Sequence, residues 1–503
     1  MGFGLNPYLP FWETVPDGEP HVFDGRIYIY GSHDERNGYL FCTKNYVCYS
    51  APEENPTDWR YEGEIYNKFQ DPINGEAAYD GELPAFEGPM GTREHPHNLY
   101  APDVAKGPDG RYYLYYALDF VNVISVAVCD TPAGKYKFLG YVTRPDGSIP
   151  NVGRWFDPGI LSEEGGNYLY YGFAPTFRFP GMEGVIFPGS MMVRLADDMH
   201  TILSEPVCAA NGPDTCKGTG YEAHPFFEAS SIRHYGDWYY LVYSSLQGHE
   251  LCYGMSRTPE GPFEYKGVIV SNADLGYEGN ELPVNYYGNN HGGLVQAGGK
   301  TYIFWHRHTH GTEFGRQGCA DEIQILEDGT IPQICITSCG LNGGPLPARG
   351  EWESYIACHV TGPDPAAVGH VTSGGPDSTC APTPPAEVPF ITEEPIPGAD
   401  FDDPGKSLKP YIRNLQPGAA AGFKYFAFDG SEKEAALEVR GTGKAVLLLD
   451  APAEEKGAVI GEISFDSSEW KTVSAPIPAM NGTHAFYLRV TEGCLDFARF
   501  SFR

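Results

Sequence analysis

Five ionisable residues recur at one place in an internal pattern of this chain. Asp17, Asp103, Asp157, Glu228 and His291 each stand seven to nine residues ahead of a turn glycine: Gly25, Gly110, Gly166, Gly236 and Gly299. Carboxylates crowded at one point cannot all ionise freely, because repulsion and burial raise one pKa and leave another low. One acid and one base across a gap are the equipment of glycoside hydrolysis: the acid protonates the leaving oxygen, and the base attacks or activates water. The same residue types could hold Ca2+, with His291 serving the ion while the carboxylates do the chemistry. Two rivals stay open, Glu19 beside Asp17 in "PDGEP" and Glu222 in "GYEAHP" ahead of Glu228; the register of the repeat favours Asp17 and Glu228. In "HRHTHG" (306–311), His306, His308 and His310 alternate, so a strand would turn all three the same way. That pattern fits a metal cluster or, in preference, the polar rim of a strand end.

The elements that must position these residues follow from the repeat itself. "HVFDGRIYIYGSHD", "VAKGPDGRYYLYYALD", "ILSEEGGNYLYYGFA", "SSIRHYGDWYYLVYSS" and "GGLVQAGGKTYIFWHR" each join a short apolar run, a glycine turn and an aromatic run, the signature of a β-hairpin. Further strand-and-turn segments lie between them, such as "ISVAVCDTPAGKYKFLGYV" and "LCYGMSRTPEGPFEYKGVIV". Two hairpins per unit give a four-stranded sheet, and five units repeated radially give a five-bladed β-propeller. Its innermost strands would aim one polar group per blade at a central channel. The expected boundaries are 1–345 for the propeller and 346–503 for a second domain, with a Pro/Gly-rich loop at 361–395. Short alternating strands after that loop predict a β-sandwich, so the fold class is all-β. "EWESYIACHVTG" (351–362) is expected to be its first strand.

Bulk composition narrows the function. The 503 residues carry a formal charge of −32, which repels nucleic acid and anionic membrane surfaces and leaves neutral ligands such as sugars open. No run of 18 apolar residues predicts a membrane span, and "MGFGLNPYLPFWE" has neither the basic nor the apolar region of a secretory signal. The 12 cysteines form no CxxC pair, which argues against zinc and for reduced thiols in a cytoplasmic protein, where the sequon at Asn481 has no use. Phe11 and Trp12, just before Asp17, are either a hydrophobic wall for a sugar or core.

The motifs "NPYLPFWETVPDGEPHVFDGRIYIYGSHD", "YAPDVAKGPDGRYYLYYA", "WFDPGILSEEGGNYLYYG", "FFEASSIRHYGDWYYLVYSS" and "NNHGGLVQAGGKTYIFWHR" resemble the blade signatures of glycoside hydrolase family 43. The resemblance covers about two-thirds of the chain, in order, and implies an inverting enzyme on a five-bladed propeller. It implies Asp17 as general base, Asp157 as the carboxylate that tunes the acid, and Glu228 as general acid. Asp103, Trp12, Arg316 and Asn290 would contact substrate, and His291 would hold a metal ion or water. "PDGEP" departs from the family's usual Asp-Pro, which keeps Glu19 in play. The C-terminal order and the ending "GTHAFYLRVTEGCLDFARFSF" resemble a carbohydrate-binding module of family 6, a jelly roll. Its exposed-aromatic candidates are Trp470, Tyr425, Phe426 and Tyr411; a structural role packed on the propeller and shaping the pocket rim is favoured over sugar binding. The expected function is exo-acting release of α-L-arabinofuranose from hemicellulose oligosaccharides such as arabinoxylan. β-Xylosidase or dual activity is the alternative, and a non-catalytic sugar-binding protein a third.

Overall fold

The protein is described as a computed structural model covering residues 4–503, except 37, 39, 76–95, 177, 179–183, 185, 311–312, 366–387 and 400–402. Most of the loop expected at 361–395 therefore lies outside the described residues. Nineteen strands form five antiparallel sheets in chain order. The first is β1 (Glu19–Phe23), β2 (Arg26–Tyr30), β3 (Tyr46–Pro52) and β4 (Arg60–Tyr66). The second is β5 (Asp103–Lys106), β6 (Tyr112–Ala117), β7 (Ile124–Cys129) and β8 (Lys137–Tyr141). The third is β9 (Gly159–Glu163), β10 (Gly166–Tyr171), β11 (Gly189–Leu195) and β12 (Val207–Asn211). The fourth is β13 (Phe226–Tyr235), β14 (Trp238–Ser245), β15 (Leu251–Ser256) and β16 (Glu264–Val270). The fifth is β17 (Leu294–Ala297), β18 (Lys300–His308) and β19 (Arg316–Ile323).

The first strands close a ring: β1 touches β5, β5 touches β9, β9 touches β13, β13 touches β17, and β17 returns to β1. A parallel bridge between Gly18 and Gly292 joins the last blade to the first. This is the five-bladed propeller, and the period-2 geometry of its strands explains the aromatic repeats. Tyr28 and Tyr30 of β2 face blade two, packing with Tyr112, Leu114 and Tyr116. Ile27 and Ile29, on the opposite face, pack with Phe304 of blade five. Every pair of adjacent blades shares such a core, and large Tyr and Phe rings fill wedge-shaped spaces that aliphatic side chains would leave open.

The expectation of four strands per blade fails in the fifth, where the described residues supply three. The N-terminal segment covers the open edge instead. The Tyr8 amide donates to Gly318 O at 3.2 Å. The Asn6 side chain accepts from the Ala320 amide at 2.8 Å and donates to Asp321 at 3.0 Å. An open edge is a pairing hazard, and ring closure by the chain start removes it.

The C-terminal β-region comprises β20 (Leu346–Pro347), β21 (Gly350–Glu353), β22 (His359–Thr361), β23 (Phe390–Pro395), β24 (Leu408–Leu415), β25 (Ala420–Asp429), β26 (Glu434–Leu449), β27 (Ala458–Pro476) and β28 (Asn481–Phe502). The long β26 and β28 bend at bulges around Val439 and Ala445, which lets one hydrogen-bonded set of strands fold over a single core. The segment expected to be one first strand at 351–362 is broken by a 3-10 turn at Ser354–Ile356. Of the four aromatic candidates here, Phe426 is in the core, Tyr411 is buried and Tyr425 packs against the core. Trp470 is part-buried, with Lys409 and Arg440 over its ring.

Candidate active site

Four of the five repeated residues meet at one end of the channel. Asp17 and Asp157 each stand two residues ahead of an innermost strand, with φ of 55° and 45°. Such left-handed backbone is costly for most residues and tolerated by Asp, and it turns both carboxylates into the channel. Glu228 lies on a bulge of β13, between Phe226 and Ser231, and Ala229 after it has φ 69°. His291 precedes β17 from the fifth blade.

Asp17 is held by Arg316, whose Nη1 donates to Oδ1 at 2.9 Å. The same guanidinium forks onto Asp34 at 2.8 and 3.0 Å and donates to Asn289 Oδ1 at 3.0 Å. Burial pushes the Asp17 pKa up, but Arg316 leads a group of neighbours that together pull it below the usual carboxylate range. His306 orients the backbone: its Nδ1 accepts the Asp17 amide at 3.2 Å, and its Nε2 meets Asn289 O. That leaves the proton on Nε2. Burial keeps the ring neutral, so it is a hydrogen-bonding strut rather than an ion-pair partner.

Glu228 has the opposite electrostatics. Burial first, then the Asp157 carboxylate, drive its pKa well above normal. Asp157 is itself raised, to about 7, by burial and by Asp17, while it accepts the Ala229 amide at 3.1 Å and faces His291 Nδ1 at 3.8 Å. An ionised base and a protonated acid are thus set apart by their surroundings, the pairing that hydrolysis of a glycosidic bond needs.

Below this end lies a second layer. Glu19 is fully buried, accepting from Ser231 Oγ at 3.0 Å and from Arg233 Nη2 at 2.7 Å. The guanidinium outweighs burial and keeps Glu19 ionised, but it is committed to that ion pair, so Glu19 is not the base. Glu222 is exposed and accepts the Gly218 amide, which removes it as the acid. Asp103 also belongs to the lower layer, and its expected place in the sugar pocket is corrected. It is completely buried, with Oδ1 bound by His21 at 2.6 Å and by the Val104 amide, and Oδ2 bound by the Ile160 amide at 2.8 Å, leaving a sugar hydroxyl nothing to approach.

Arg316 reaches the site, but only 3% of it is exposed and every nitrogen is engaged, so it serves Asp17 more than substrate. Asn290 Oδ1 accepts the His306 amide at 3.1 Å, while Nδ2 is buried without a partner. Trp12 packs edge-on to Phe11 and lines a cavity of about 490 Å³ shared with Tyr355, Lys409 and Trp470 of the C-terminal region. The three alternating histidines form no metal cluster, since His308 meets Gly288 O at 2.6 Å and His310 meets Glu393 at 2.5 Å. Asp34 was not singled out from sequence, although it ends the quoted "YIYGSHD"; a carboxylate closing a hairpin strand carries no mark of the arginine it will meet.

His291 lies between Glu19, at 3.6 Å, and Asp157, at 3.8 Å, and although burial opposes its charge, the Glu19 carboxylate and then Asp157 and Asp17 raise its pKa to about 9. An ion ligated by this ring would take the place of that proton. Nε2 of His291 and Oε1 of Glu19 are both buried without hydrogen-bond partners, a gap that suits a water or ion.

Comparison with known proteins places the chain in a family. The model of the family "Glycosyl hydrolases family 43" matches residues 78–331. A "Xylosidase/arabinosidase" of Thermoclostridium stercorarium is 46% identical, covering 96% of this chain and 95% of that protein. One of the same name from Bacteroides ovatus is 30% identical over 65% of this chain and 97% of its own length. A solved family 43 β-xylosidase/α-arabinofuranosidase from a compost microbial metagenome, in complex with xylotriose, superposes with a TM-score of 0.50 at 25% identity, covering 67% of this chain and 98% of that one. A propeller that sets an ionised and a protonated carboxyl group at one channel mouth, and relatives of this similarity, agree: the chain belongs to glycosyl hydrolase family 43 and is a glycoside hydrolase.

Proposed function

We propose that the enzyme is an inverting, exo-acting hydrolase that releases α-L-arabinofuranose from hemicellulose-derived oligosaccharides such as arabinoxylan. β-Xylosidase action in the same pocket is the second reading, favoured by the dual names of the relatives. The observation that carries the mechanism is the opposed electrostatics of Asp17 and Glu228. Asp17 takes a proton from water as the water oxygen attacks the anomeric carbon. Glu228 gives its proton to the glycosidic oxygen as that bond breaks. Asp157 keeps the acid protonated until then, and exchange with solvent resets both groups. Calcium remains a proposal at His291, where it would have to displace the imidazole proton; no step runs through it. A cytoplasmic, reducing location is proposed because every described cysteine is a free thiol.

The test is release of p-nitrophenol from the α-L-arabinofuranoside and the β-D-xyloside, with proton NMR of the first-formed sugar. Arabinofuranoside turnover with inversion is expected. Turnover of the xyloside alone selects the second reading, and retention of configuration removes Asp17 as a base.

A further inference from the structure

The C-terminal region touches the propeller at a point the mechanism above leaves unused. Glu393 of β23 reaches two loops of the channel rim at once. Its Oε2 meets His310 Nε2 at 2.5 Å, and its Oε1 meets Arg36 Nε at 3.2 Å. The Glu393 side chain is only 5% exposed and that of His310 only 4%. The backbone repeats the attachment, the His310 amide donating to Ile391 O at 2.8 Å.

Both loops end on the clamp that holds Asp17. His310 starts the loop joining β18 to β19, which is cinched by Thr309 N and Oγ1 donating to Gly315 O at 2.7 and 2.8 Å; the next residue is Arg316. Arg36 lies in the loop joining β2 to β3, two residues after Asp34. There the Cys42 amide donates to Asp34 Oδ1 at 2.8 Å, and Phe41 packs edge-to-face with Phe314 at 4.6 Å and lies under the Arg316 guanidinium at 4.8 Å.

We infer that Glu393 is a positioning residue for the general base: one carboxylate from the C-terminal region pins the loop that carries Asp34 and the loop that leads into Arg316, and so fixes the carboxylate of Asp17. The inference rests on the assignment of Asp17 as base. On this view the C-terminal region is a working part of the active site.

The experiment compares Glu393→Ala, Glu393→Gln and His310→Ala in the full chain on two arabinofuranosides, one with a sugar leaving group and one with dinitrophenolate. A good leaving group needs no acid but still needs the base. Misplacement by about 1 Å costs up to about 10²-fold in rate. Glu393→Ala is therefore expected to lower kcat about 10-fold or more on both substrates, with KM changed less than kcat. Glu393→Gln, whose amide oxygen can still accept from Arg36 while its NH2 donates to a neutral His310 Nε2, should recover part of the loss. The double variant with His310→Ala should lose little beyond Glu393→Ala, since the lost carboxylate already removes the His310 contact. Unchanged kcat in Glu393→Ala, or a loss that vanishes on the dinitrophenyl substrate, overturns the inference. If Glu393→Ala does not fold, His310→Ala carries the loss and Glu393→Gln is the control that retains most of the activity. An active Asp17→Ala enzyme would instead overturn the base assignment, whatever Glu393 does.

Discussion

At the residue scale, two carboxyl groups of similar intrinsic acidity are driven in opposite directions by what touches them. Asp17 is bound by a guanidinium; Glu228 is part-buried beside Asp157. Asp17→Ala and Glu228→Ala should each lower turnover of natural substrates at least about 10²-fold, with only Glu228→Ala recovering on a dinitrophenyl glycoside, as steady-state kinetics would show. His291 gives a prediction with a sign. Its folded pKa of about 9 lies above its ordinary 6.5, so the stability it contributes is fully present below about pH 6.5 and lost as the pH rises through about 9. Asp157, an acid raised to about 7, adds to the loss in the lower part of that window. The wild-type melting temperature should therefore fall from pH 6.5 to 9, and the fall should be shallower in His291→Gln; equal slopes in scanning calorimetry would contradict the ion pairs assigned to it.

At the element scale, the innermost strands are packed too closely to accept ordinary side chains. A Cβ at Gly293 would lie 2.5 Å from both Glu19 Oε2 and Ser231 Oγ. The second glycine of "NNHGG" is thus the space through which the Glu19 carboxylate reaches its partners. Gly293→Ala should displace Glu19 from Arg233 and cost about 1–3 kcal/mol as overpacking, read from denaturant unfolding. A neutral result would mean that the lower channel layer is loose.

At the scale of the whole molecule, the two β-regions share a buried ionic contact. Asp274, after β16, accepts from Lys424 Nζ at 3.0 Å and from His359 Nε2 at 3.1 Å, both from the C-terminal region. Removing one member of a buried pair strands the other, a loss of about 3–5 kcal/mol. Lys424→Met is expected to lower the melting temperature markedly, and Asp274→Asn combined with it should recover part of the loss. If Lys424→Met melts like the wild type, the contact does not hold the regions together. The N-terminal segment on blade five and Glu393 on the rim act at the same scale, binding parts distant in sequence into one ring and one site.

The sequence by itself determined the propeller, because strand alternation, turn glycines and aromatic filling are local rules repeated in each unit. It also determined which carboxylates stand at the inner strand starts, since that offset is counted along the chain. Its register favoured Asp17 over Glu19, two residues apart on the same segment, without excluding the rival. Only Arg316 and Arg233, arriving from blades five and four, separate a base held at the channel mouth from a structural ion pair below it. Asp103 matched the repeat as well as Asp157 did, yet a histidine and two backbone amides consume its oxygens. The rim contact of Glu393 was illegible for the same reason: partners 83 and 357 residues away meet only once the ring has closed and the second β-region has docked.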